Sequence, residues 1–410
     1  MSIVNYIKME FSQEENRGKP NQKRLESIDF LRGLVIIIMA LDHTRDYFHN
    51  SAYYFNPEDL SQTNAPLFFT RWITHYCAPV FVFLAGTAVF LQGLRKTKNE
   101  LSVFLLKRGL WLIMVELLLI SLLRTFNPAF IFINLQVIWA IGVSMIFLAA
   151  IIRLSPKYIL IFSIVLIAGH HVLDTIHVDG NGGLAFCWAV LHDAKSFVFG
   201  EHTVVVKYPV LPWIGIMALG YYLGSLYTPS FDPIKRKKIL KYLGWGSILL
   251  FLILRFSNSY GDASLWQTQS RFSFTIMSFF NVTKYPPSLL YTLMTLGPAL
   301  LILAFAERPM NKQADKVLIF GRVPMFFYLA HIVLIHLLAL PAMAIQGRPI
   351  SDMVLTTSVV KAPQLKGYGF DLPVVYLVWA AVIVMLYPLC KWFGVYKQKH
   401  QKTKKWLSYF

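Results

Sequence analysis

The sequence predicts an all-α fold: a polytopic integral membrane helix bundle of about ten transmembrane helices, with both termini cytoplasmic. Three observations predict it. Apolar runs near 20 residues, the length that crosses a bilayer core, recur along the 410-residue chain. The composition is 56% hydrophobic and only 15% charged, against roughly 25% charged in soluble proteins, and the mean hydropathy is +0.52. The basic residues gather in alternate short loops, as the positive-inside rule requires.

The spans read as 27–48, 66–93, 100–123, 134–153, 156–175, 210–227, 238–256, 286–306, 323–345 and 371–393. Residues 1–26 form a polar tail without a signal-peptide core, 27–393 the membrane domain, and 394–410 a basic tail. With the N-terminus inside, about 27 of the 39 Lys and Arg fall on the cytoplasmic side. They include RKTK (95–98), KRKK (235–238), Arg308, Lys312, Lys316 and Arg322. The net charge of +18 would suggest nucleic acid in a soluble chain; here it belongs to edges facing anionic lipid, and no nucleic-acid partner is expected. The long outside loops, 49–65, 176–209, 257–285 and 346–370, suit a task on the outer side. Gly220 and Gly224, in LGYYLG, read as a close helix-packing step.

The first span is unusual. SIDFLRGLVIIIMALDHTRDYF carries Asp29, Arg32, Asp42, His43, Arg45 and Asp46, although a charge at mid-membrane costs about 2.5–3.5 kcal/mol on insertion scales. At 100° per residue, Arg32 and His43 lie about 20° apart in projection and roughly 16 Å apart along the axis. Asp46 and Asp29 fall within about 60° of Arg32, while Arg45 points away. The stripe reads as a polar seam facing the bundle interior.

Further candidates follow. Arg71 and His75 share a face near the outer end of the second span. His331 and His336 lie in the ninth span, and with His43 and His75 bring histidines from three helices to the outer half. Lys284, Tyr285 and Ser288, in NVTKYPPSLLYTLMTLG, put a cation, a phenol and a hydroxyl at a helix entry that suits an anion. Tyr208 and Trp213 in KYPVLPWIG read as an interfacial anchor. Histidine with a nearby carboxylate is general-base equipment, His43 with Asp42 or Asp46. No paired metal-ligand spacing is visible, and Cys77, Cys187 and Cys390 show none, so neither metal nor disulfide is expected.

These phrases carry a resemblance. SIDFLRG, LDHTRDYF, ITHYCAPVFVFLAG, YPVLPWIG, KYPPSLLYTLMTLGP and GRVPMFFYLAH, over roughly 24–345, resemble the bacterial relatives of the heparan-α-glucosaminide N-acetyltransferase catalytic domain. Arg32 and His43 reproduce the Arg-x10-His spacing of membrane sugar O-acyltransferases. The lysosomal enzyme has Asn at the position of His43 and its catalytic His near the position of Tyr54, so the role of His43 follows the O-acyltransferase pattern.

The resemblance implies an acyltransferase of the cell membrane, the inner one in a two-membrane envelope. It would move an acyl group, typically acetyl, from cytoplasmic acetyl-CoA or another acyl-CoA to an outer-side glycan or other small acceptor. In that reading His43 is the base, with Asp42 and Asp46 beside it. Arg32, Arg322 and Asp29 serve the donor, and His75, Lys284, Tyr285, Ser288, His331 and His336 serve the acceptor. Membrane lipid is the other partner, and a homodimer stays open. A transporter or proton-coupled permease using the same seam is the alternative, and a non-catalytic scaffold a third.

Overall fold

The computed structural model describes residues 25–308 and 310–409, so most of the expected 1–26 tail lies outside the described residues. The chain opens with α1 (Glu26–Phe48). Next come α2 (Ala65–Ile73) and α3 (Cys77–Gly93), joined by one 3-10 turn at Thr74–Tyr76. α4 (Lys98–Met114) runs through a π-helical segment (Val115–Ile120) into α5 (Ser121–Thr125). β1 (Phe132–Leu135), α6 (Val137–Ile151), α7 (Pro156–Gly169) and α8 (Gly183–Leu191) follow, then the hairpin β2 (Lys195–Phe199) and β3 (His202–Val206). The remainder is helical: α9 (Leu211–Leu223), α10 (Pro233–Ser257), α11 (Phe272–Phe280), α12 (Leu289–Phe305), α13 (Lys312–Arg322), α14 (Pro324–Ile345) and α15 (Leu372–His400).

Every expected span contains a helix, and the protein is a helical membrane protein. Among the described residues, five segments are long and apolar enough to cross a membrane by themselves: Ala65–Gly93, Pro156–Leu173, Pro233–Ser257, Pro324–Ile345 and Leu372–His400. α6 and α12 are apolar but shorter. α15 continues unbroken past residue 393, where the basic tail was expected to begin.

A three-stranded sheet is the element the sequence reading missed. β3 pairs parallel with β1 and antiparallel with β2, Phe132 opposite Thr203 and Lys195 opposite Val206. Gly200, at φ +60°, opens the two-residue turn between β2 and β3, a left-handed conformation glycine adopts without penalty. Phe197, Val206 and Leu135 bury a small core against Ala185 and Ala189 of α8. This cap sits at the end of the bundle that carries the long loops; the opposite end carries the short basic turns.

α1 is the central helix and packs on α3, α13, α14 and α15. Glycines set the closest approaches. A Cβ at Gly321 would fall 1.8 Å from the Asp29 carbonyl oxygen, so α13 crosses α1 nearly backbone to backbone beside Arg32. α3 and α9 interlock likewise: a Cβ at Gly220 would fall 2.0 Å from the Phe83 oxygen, and one at Gly86 2.0 Å from the Met217 oxygen. That packing holds the wall formed by α3.

Candidate functional site

Two cavities lie end to end along α1. The larger, about 330 Å³, opens at the basic end and is lined by Arg32, Arg108, Arg322 and Lys397, together with Gln92, Phe104 and Met145. The smaller, about 40 Å³, lies toward the loop end and is lined by Asp42, His43, Cys77, Arg124, Tyr208 and Lys284. Both share Met39, Phe81, Val137 and Tyr328 as walls, so four side chains form the waist between them. The helical pitch of α1 puts Arg32, Ile36, Met39 and His43 on one line along this path.

His43 is held on both ring nitrogens. His331 Nδ1 lies 2.9 Å from the Phe327 carbonyl one turn back on α14, so it carries the proton and donates there. His331 Nε2 is then an acceptor, and His43 Nδ1–H donates to it at 2.6 Å. That leaves His43 Nε2 with a lone pair, which accepts from Arg124 Nη2 at 2.9 Å. The two imidazoles stack at 4.9 Å between centroids, and the Tyr328 ring stands edge-on to both. The basic nitrogen of His43 thus faces a guanidinium beside the waist.

Arg124 escaped the sequence reading. An arginine at the end of an apolar span looks like an interfacial anchor. Its place is set by the end of α5: Phe126, at φ +51°, stops the helix, and the Tyr47 hydroxyl donates to the Arg124 carbonyl. The preceding segment is π-helical, and such bulges often mark functional positions. Within it, Glu116 Oε2 accepts from the Trp139 backbone N–H at 2.9 Å and caps the start of α6.

The other expected residues separate into groups. Asp42 accepts from Arg71 Nη1 at 2.6 Å and forms an ion pair with Arg45 at 3.0 Å; Asp46 accepts from Arg45 at 2.6 Å. Both carboxylates are therefore engaged by arginines, and His43 is oriented by His331 and Arg124. Arg45, expected to point away from the seam, is buried and joins the two aspartates. Asp29 pairs with Arg32 at 3.0 Å, and Arg32 also donates to the Gly321 carbonyl at 3.3 Å. His75 is bonded to Glu58, which also pairs with Arg71 at 3.3 Å. Burial works against ionisation of Glu58, but the Arg71 guanidinium and the His75 imidazole outweigh it and hold its carboxyl well below the usual range.

Lys284 reaches the small cavity, whereas its neighbours serve the turn. Ser288 caps α12, accepting from the Tyr291 N–H at 2.9 Å and donating to Asp262 at 2.7 Å. Tyr285 stacks edge-on with Tyr208 at 5.1 Å, with Lys207 and Lys284 at 5.1 and 5.3 Å from its ring. Burial opposes ionisation of this phenol, yet Lys284, Lys207 and Arg71 bring it below its ordinary value. Tyr208 and Trp213, expected at the interface, are buried, and Tyr208 lines the small cavity. His336 stands apart: its nitrogens face the Leu123 and Met353 carbonyls and its ring stacks on Phe126 at 3.6 Å. The three cysteines are free.

The fold and site thus define a helical membrane protein with a buried His–His–Arg centre at the meeting of two cavities, one open toward a basic rim. The family model for the heparan-alpha-glucosaminide N-acetyltransferase catalytic domain matches residues 24–256. The chain belongs to that family, an acetyltransferase family. The match contains Arg32, His43 and Arg124, while His331, Lys284 and Arg322 lie beyond it. No curated protein matches the chain.

Proposed function

We propose that the chain is a ten-span acyltransferase with both termini cytoplasmic, moving an acetyl or other acyl group from cytoplasmic acyl-CoA to an outer-side glycan or other small acceptor. The observation that carries this reading is the pair of cavities joined through Met39, Phe81, Val137 and Tyr328. The larger volume lies within the range of small-ligand sites, and its rim offers Arg32, Arg108, Arg322 and Lys397 to phosphates. The apolar walls suit the thin arm of the donor, whose thioester then reaches the waist below His43.

The chemistry follows from the protonation pattern. The acceptor enters from the loop side, past Tyr208 and Lys284, and its hydroxyl or amine displaces Arg124 from His43 Nε2. His43 takes the acceptor proton as the acceptor oxygen or nitrogen bonds to the thioester carbonyl carbon. The carbon–sulfur bond breaks, and the leaving thiolate of coenzyme A receives that proton from His43. His331 holds the imidazole on Nδ1 throughout. Arg124, released from Nε2, donates to the developing oxyanion.

The test supplies purified protein with labelled acetyl-CoA and a panel of outer-surface glycans. Transfer that disappears in His43→Ala while coenzyme A still raises the melting temperature supports the reading. Full transfer by His43→Ala would overturn the mechanism, and no stabilisation by coenzyme A in the unmodified protein would overturn the donor.

A further inference from the structure

A second polar cluster lies outside the two cavities, where the turn after α7 meets the end of α8. His170, Asp174 and His192 each offer one ligand atom, all within 4.8 Å of one another. His170 and His192 are 3% and 4% exposed. Both ring nitrogens of His170, and Nδ1 of His192, have no hydrogen-bond partner among the described residues. The Pro287 carbonyl faces His170 without closing a hydrogen bond. A neutral imidazole always carries one N–H, so a buried ring with neither nitrogen engaged demands an explanation.

The neighbours give the cluster its direction. His171 does not join it, because its Nδ1 bonds Asp174 Oδ2 at 2.7 Å and its Nε2 accepts from the Leu289 N–H at 3.0 Å. Asp174 Oδ1 meets His192 Nε2 at 3.0 Å. The Asp174 carboxylate is half-buried, and nearby the exposed His177 pairs with the half-buried Asp193 at 3.2 Å. Two imidazoles and one carboxylate are a donor set for zinc and its borderline neighbours; calcium and magnesium prefer oxygen alone. Metal–ligand bonds near 2.1 Å put tetrahedral ligand atoms about 3.4 Å apart, so only a small inward movement closes the site.

We propose that His170, Asp174 and His192 bind a divalent transition-metal ion of the zinc class. No metal was expected from the sequence, because the ligands come from a His-x3-Asp turn and a third residue 18 positions on. The ion clamps the end of α7 to the α8–sheet cap. Through the Asp174–His171–Leu289 hydrogen bonds it also steadies the start of α12, just after the Lys284 turn. Three protein ligands leave a coordination position for water on the Asp174 side.

The experiment uses untagged, full-length protein in detergent, stripped with a chelator and titrated with Zn²⁺ calorimetrically and with Co²⁺ by visible absorption. The expected result is one equivalent per chain, with the intense bands of four-coordinate cobalt. His170→Ala and His192→Gln should each weaken binding by more than the roughly 10–100-fold that loss of an outer-shell partner costs. His177→Ala, which removes the exposed neighbour, should bind as the unmodified protein does. If one ligand variant fails to elute as a single species, the other carries the comparison. The proposal is overturned if the stripped protein binds no stoichiometric Zn²⁺, or if a folded ligand variant binds as tightly as the unmodified protein. Binding is read without acyl transfer, so its outcome is independent of the proposed reaction.

Discussion

The hydrogen bond from His43 to His331 makes a sharp kinetic prediction. His331→Leu removes the acceptor for His43 Nδ1–H in a buried place, since His331 is fully buried and the bond is 2.6 Å. Leaving a buried donor unsatisfied costs about 1–3 kcal/mol. If that cost falls on the orientation needed in the transition state, kcat drops about 5–150-fold, at 1.36 kcal/mol per decade. His43→Ala removes the base itself, and general-base catalysis is typically worth about 10²–10⁴-fold. The two residues act as a unit, so the double variant should be no slower than His43→Ala, within a factor of about 3. The assay is transfer of labelled acetyl from acetyl-CoA at saturating donor and acceptor, with coenzyme A stabilisation as the control for folding. Multiplicative losses in the double variant, or full kcat in His331→Leu, would refute a His331-supported base.

Other predictions bear on the cavity rim, the helix packing and the outer network. Arg322→Gln removes one cation from the larger cavity and should raise KM for acyl-CoA about 10–100-fold with kcat little changed, the cost of one charge-assisted hydrogen bond; initial rates at varied donor check this. Gly220→Leu puts a Cβ 2.0 Å from the Phe83 oxygen and should destabilise the α3–α9 pair by at least about 1–3 kcal/mol, read as a lowered melting temperature. Glu58 is held well below its ordinary value in the folded protein, so its stabilisation is present above the unfolded value of about 4.3 and fades as pH falls through the folded one. The melting-temperature gap between the unmodified protein and Glu58→Gln should therefore be widest near neutrality and narrow under acid.

How far the sequence reached can be traced residue by residue. Helices were legible because hydropathy and chain length constrain membrane spans strongly, and the 100° periodicity of α1 alone aligned Arg32 with His43. Arg45 departs from its projected direction because Asp42 and Asp46 draw its guanidinium inward, which a helical projection does not register. Arg124 was hidden because its direction depends on the π-helical segment before it and the left-handed Phe126 after it. The hairpin was missed although a signal existed: KSFVF and HTVVV flank Gly200–Glu201, a two-residue turn between β-branched and aromatic runs. The His170–Asp174–His192 cluster joins two elements through the cap, and only the fold brings it together.

The central claim is that an acyl group passes from the basic end of the bundle to the His43 end. The most direct measurement reconstitutes the protein in sealed vesicles of known orientation, with labelled acetyl-CoA on the basic side only and the acceptor on the loop side only. The account predicts labelled acceptor on the side opposite the donor, abolished by His43→Ala. Labelling only when donor and acceptor share one side would contradict it.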